Sequence, residues 1–156
     1  MLETQRRGFT MIETIMVLTL VSIVAAIGGP KLTAALQRRN TASAADQFVL
    51  THFLARSTAL RYGRISQLHV DTTGKRFWTD VDTSANGVGQ RAIIGNVRDV
   101  SGDDLVMTST RTLLCFDARG SASTSGLCES ADAKVIFSNG AVADTVATTA
   151  LGKVLR

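Results

Sequence analysis

The chain has 156 residues, a hydrophobic fraction of 45%, and 17 Lys+Arg against 13 Asp+Glu, for a net charge of +4. That length fits one domain of ordinary size and argues against a two-domain enzyme with an interdomain cleft. The composition is too apolar for disorder and too mixed for a polytopic membrane protein, so the apolar excess must be concentrated somewhere.

It is concentrated near the start. From residue 9 the chain reads FTMIETIMVLTLVSIVAAIGG, whose only charge is Glu13. At ~1.5 Å per residue this run, 9–29, covers the ~30 Å hydrocarbon core of a bilayer. Arg6 and Arg7 precede it, so the positive-inside rule keeps the N-terminus cytoplasmic and delivers everything after Pro30 to the far side. The apolar core is longer than that of a cleaved secretory signal, which implies an anchor that is kept. A carboxylate within such a run is costly in lipid unless it is paired. The run contains no Lys or Arg, so the expected cation comes from another copy of the same helix, and Glu13 thereby points to assembly.

The basic surplus follows. Residues 31–64 carry Lys31, Arg38, Arg39, Arg56, Arg61 and Arg64 against Asp46 alone, a net +5, whereas residues 65–156 are net −1. Gly and Pro are absent from 31–62 and good helix formers are frequent, so one helix is expected over 9–62, roughly 80 Å long. Pro30 removes one backbone bond and predicts a kink or loosened turn near the membrane exit. Phe48, Thr51 or His52, Ala55, Ala59 and Tyr62 fall at helical spacing and mark a face that packs on the following domain, with the arginines turned away.

Beyond Gly63 the period changes to alternation. Residues 65–71 and 75–80 flank a Thr-Thr-Gly turn and read as a hairpin; 112–117, 133–138, 92–100, 105–108 and 152–155 read as further strands. Asn139-Gly140 is a turn signal, because both residues tolerate positive φ. Ser, Thr and Gly dominate 83–90 and 120–126, which are expected to be exposed loops. One long helix with an antiparallel sheet of about six to eight short strands is an α+β arrangement, with a β domain over 63–156.

The string RRGFTMIETIMVLTLVSIVAAIGGP resembles the class III signal of type IV pilins and pseudopilins: a basic leader ending in Gly8, Phe9 opening the apolar helix, Glu13 within it and Pro30 after it. The resemblance implies that a prepilin peptidase cuts between Gly8 and Phe9, removing residues 1–8, and that the new amine of Phe9 is N-methylated. It also implies that Glu13 pairs with the N-terminal amine of a neighbouring subunit. The segments QFVLTHFLARSTALRYGR and CFDARGSAS are similar to the minor pseudopilin H and FimT group, which implies a sandwich of β-strands on a long helix. The implied location is the inner membrane, as a single-pass protein with a periplasmic C-terminal domain. The implied partners are other pilins or pseudopilins in a helical filament and an inner-membrane assembly platform.

Other chemistry finds little support. Cys115 and Cys128 lie in a domain that the topology places in an oxidising compartment, and a disulfide between a strand end and the 120–126 loop is expected. His52 and His69 are too few for a zinc site and are expected on helix or strand surfaces. Asp80, Asp82, Ser84 and Asn86 alternate oxygens as a calcium loop does, but Ala85 stands where Gly is needed and Arg91 where a bidentate Glu belongs. Neither a nucleophile motif nor a phosphate-cradling loop is present, so no enzyme, metal or cofactor is expected.

Some relatives of this group are DNA receptors with a basic tail, and the segment Gly152-Lys153-Val154-Leu155-Arg156 is partly similar to it. Lys153 and Arg156, with Arg119 or Lys134, could touch phosphates. The expected function is that of a minor pseudopilin in a type II secretion pseudopilus. The alternative is a minor pilin of a type IV pilus acting in assembly or DNA uptake, and a third reading, a signal-anchored monomer, requires that Gly8-Phe9 stay uncut.

Overall fold

The structure, a computed structural model, describes residues 10–84, 89–124, 126, 128, 132–140 and 142–156. The long helix α1 spans Met11–Tyr62 and runs through Pro30 without a break. Backbone packing divides the chain into two compact units, Met1–Leu36 and Gln37–Arg156.

In the first unit α1 is bare. Its large apolar side chains are exposed on all sides, from Ile12 at 71% through Val24 at 69% to Leu36 at 49%. Such a helix is long and apolar enough to cross a membrane.

The second unit contains the core. Here one face of α1 is buried through Thr41, Ala44, Ala45, Phe48, Thr51, His52, Ala55, Thr58 and Ala59, a helical stripe rich in small residues that lets strands approach closely. The expected stripe is present except at its end: Tyr62 is 40% exposed. The helix stops where Gly63 adopts φ +63 and the Arg64 N–H reaches back to Ala59 O at 3.3 Å, a left-handed cap open to Gly without strain.

Eight strands follow: β1 Ser66–Asp71, β2 Arg76–Asp82, β3 Arg91–Asp99, β4 Val106–Ser109, β5 Leu113–Phe116, β6 Ala133–Asn139, β7 Val142–Thr148 and β8 Val154–Leu155. They form two four-stranded antiparallel sheets, in the orders β3-β2-β1-β5 and β4-β6-β7-β8, rather than a single sheet. Asn139 pairs with Val142 inside the β6–β7 ladder, so of the Asn139-Gly140 signal Asn139 belongs to the strand and Gly140 takes the positive φ, at +60. Phe48 of α1, Phe77 of β2 and Phe137 of β6 meet with ring centroids 5.6 to 6.2 Å apart, which joins helix and both sheets in one core. The 120–126 segment is not simply an exposed loop: Gly120 and Ser123 are buried, and Ala122 bridges to Phe116.

Candidate assembly site

Gly8 and Phe9, the expected processing site, lie outside the described residues. The first residues beyond them are placed by a helix cap. Thr10 O accepts the N–H groups of Glu13 at 3.1 Å and Thr14 at 3.2 Å, and Thr10 Oγ1 faces the Glu13 N–H at 3.4 Å. Thr10-Met11-Ile12-Glu13 has the Thr-x-x-Glu spacing of a capping box, a signal legible in the sequence that the pattern reading passed over. Glu13 thus stands in the first turn of α1, where the helix dipole favours a carboxylate, and its side chain is exposed for a partner outside the chain.

On the second unit, Cys115 of β5 and Cys128 form a disulfide with Cα atoms 5.7 Å apart. Arg56 fastens the same region to the helix. Its Nε donates to Gly120 O at 2.8 Å and its Nη1 faces Gly152 O at 3.4 Å, so Arg56 does not face away from the domain. Arg64 is also engaged, pairing with Asp82 at 3.6 Å and donating to Ser84 O.

The two cations proposed for phosphate contact separate. Arg156 donates through Nη2 to Asp144 Oδ2 at 2.6 Å, pairs with Asp46 on α1, and faces Ala42 O at 3.4 Å. Hydrogen bonding to Asp144 in the first place holds the guanidinium more firmly protonated than usual. Its charge is matched by two carboxylates, so Arg156 is not a solvated cation open to a phosphate without giving up these pairs. Lys153 is exposed, as are Arg119 and Lys134.

The alternating oxygens near residue 80 have protein partners. Asp80 Oδ1 accepts from Arg91 Nε at 2.8 Å and Nη2 at 2.6 Å, and Asp80 Oδ2 lies 3.0 Å from His69 Nε2. Burial pushes the Asp80 carboxyl up, but hydrogen bonds from His69 and Arg91 outweigh it and hold the group below the usual range. Ser84 hydrogen bonds do the same for Asp82. Ala85 and Asn86 lie outside the described residues. His69 stacks on Trp78 at an interplanar angle of 4°, on the strand surface as expected.

His52 overturns its expectation. It is fully buried, edge-on to Phe116 at 4.9 Å, and neither ring nitrogen has a hydrogen-bond partner among the described residues. Burial, assisted by the nearby Arg56 charge, lowers its pKa to about 4.

The family model described as the prokaryotic N-terminal methylation motif matches residues 4–29. The model described as type II transport protein GspH matches residues 44–152, well over half of the chain. The chain belongs to the GspH family. Comparison with curated proteins gives no match. Among solved structures, this GspH-family chain is similar to the type IV minor pilin FimU of Pseudomonas aeruginosa, with 17% identity over 76% of this chain and 88% of that one and a TM-score of 0.57. It is also similar to the minor pseudopilin EpsH from the type 2 secretion system of Vibrio cholerae, with 13% identity over 76% and 94% of the two chains and a TM-score of 0.52. At these identities the likeness speaks for the fold, which is type IV pilin-like.

Proposed function

We propose that this GspH-family protein is a minor pseudopilin, a structural subunit of a type II secretion pseudopilus that helps move folded proteins across the outer membrane. The observation that carries this reading is the match of the GspH model over residues 44–152 on a chain whose first 36 residues contain an unpartnered apolar helix. In this reading a prepilin peptidase cuts after Gly8, Phe9 becomes the methylated N-terminus, and residues 9–29 hold the subunit in the inner membrane. The far-side domain then faces outward from the filament. On extraction, the helix exchanges lipid for neighbouring helices, and Glu13 meets the amine of an adjacent subunit, so its charge is paired in a medium where an isolated carboxylate is costly. Likeness to EpsH supports the secretion machine.

Likeness to FimU favours a second reading, a minor pilin of a type IV pilus. DNA contact through the 152–156 segment would then rest on Lys153, since Arg156 is held by Asp144 and Asp46. The deciding experiment compares the secreted proteome of a deletion strain with its parent and a complemented strain. Loss of a set of exoproteins supports the pseudopilus; an unchanged secretome with loss of surface pili moves the assignment to the pilus.

A further inference from the structure

The cations of residues 31–64 differ in what they touch, and Arg61 lies over the Tyr62 ring. Arg56 and Arg64 are spent on carbonyls and a carboxylate of the domain. Lys31, Arg38 and Arg39 are exposed, and none has an ion-pair partner among the described residues. No acidic residue occurs between Glu13 and Asp46 to neutralise them. With the N-terminus cytoplasmic, these three cations lie on the far side of the anchor.

The apolar surface also outlasts residue 29. Leu32 is 62% exposed and Leu36 49% exposed, and the first buried residue among those described is Thr41. The chain's first compact unit ends at Leu36. Residues 11–36, at ~1.5 Å per residue, run about 39 Å, longer than the ~30 Å hydrocarbon core and close to the ~40–45 Å bilayer with its headgroups. Helices of this length tilt or enter the headgroup layer. Arg38 and Arg39 follow Leu36 after Gln37, and a guanidinium matches a phosphate with two parallel hydrogen bonds.

We propose that Arg38 and Arg39 bind the phosphate groups of phospholipids in the far leaflet, so that the membrane-held chain is embedded through Leu36 rather than through Gly29. Lys31 then extends its ammonium towards the same layer, its methylenes lying in the apolar zone. The two arginines set the depth of the stored subunit, and extraction into a filament must break their phosphate contacts. The inference rests on the membrane-anchor part of the proposed function.

The test uses the full chain at low protein-to-lipid ratio in vesicles of phosphatidylcholine and phosphatidylglycerol, with a water-soluble maleimide on both sides of the bilayer. Single cysteines replace Val17, Leu36 or Ser43; Cys115 and Cys128 are held in their disulfide and do not react. Leu36→Cys is expected to label about tenfold more slowly than Ser43→Cys, being inside the layer that excludes the reagent. Adding Arg38→Gln and Arg39→Gln should raise the Leu36→Cys rate about fivefold, with Val17→Cys still protected. The proposal is overturned if Leu36→Cys labels as fast as Ser43→Cys, or if the double variant leaves its rate unchanged. Protection that appears only at high protein-to-lipid ratio also overturns it, because the arginines then face a neighbouring chain. Free labelling of Val17→Cys would instead sink the membrane anchor itself, which separates the two failures.

Discussion

Arg156 and Asp144 face each other across the β7–β8 pair, with Nη2 2.6 Å from Oδ2, and Asp46 of α1 closes the group from the helix side. The arrangement ties the last strand to both its sheet and the helix, although the Arg156 side chain keeps 35% of its exposure. Solvent screening therefore limits its worth. Arg156→Ala is expected to cost about 1 kcal/mol, read as a lowered melting temperature. Lys153→Glu should leave the melting temperature unchanged. If the chain binds DNA through this segment, Lys153→Glu should weaken that binding in a salt-dependent way.

His52 predicts a pH dependence with a definite sign. Its folded pKa of about 4 lies below the unfolded value of 6.5, so on acidification the unfolded chain takes up the proton first. The folded state is at its full stability above pH 6.5 and loses about 3 kcal/mol as pH falls to 4. Chemical denaturation at pH 7 and pH 4.5 should show the difference. His52→Leu removes two buried nitrogens without partners and should flatten that profile while leaving stability at pH 7 equal or higher.

The Cys115–Cys128 disulfide closes a short loop, with a sequence separation of 13 residues. Chain entropy gives such a closure about 3 kcal/mol. Replacing both cysteines by serine should lower the denaturation midpoint accordingly. Reductant should lower the midpoint of the parent protein and leave the double variant unchanged.

Glu13 stands on the exposed first turn of α1 and contributes nothing to the core. Glu13→Ala should therefore leave the melting transition of the β domain in place while reducing incorporation into filaments. Co-purification of the variant with sheared filaments, compared with the parent, measures this. Equal recovery would argue against an assembly role for the carboxylate.

Much of the architecture is local and therefore readable along the chain. The 9–29 run, its single Glu13 and the stripe from Phe48 to Ala59 are each contiguous or periodic, and the helix end and seven of the eight strands fall within about two residues of their expected bounds; β7, Val142–Thr148, is not among the expected strands. What was not readable involves partners distant in sequence. Arg56 reads as a solvated cation because nothing near it in sequence announces the carbonyls of Gly120 and Gly152. His52 fell on the buried stripe, yet its lack of partners became visible only when Phe116 was set against it. The Asp80–Arg91 and Asp144–Arg156 pairs arise from strand register, which composition does not encode.

Membrane affinity, the single intramembrane carboxylate and the switch from helical to alternating period follow from the order of residues alone, because hydrophobic burial and backbone periodicity act over neighbouring positions. The division into two sheets, the burial of His52 and the occupation of Arg156 were settled by the tertiary structure. Each depends on which long-range surfaces meet, and a charge or a ring nitrogen acquires its energy from that meeting rather than from its neighbours in the chain.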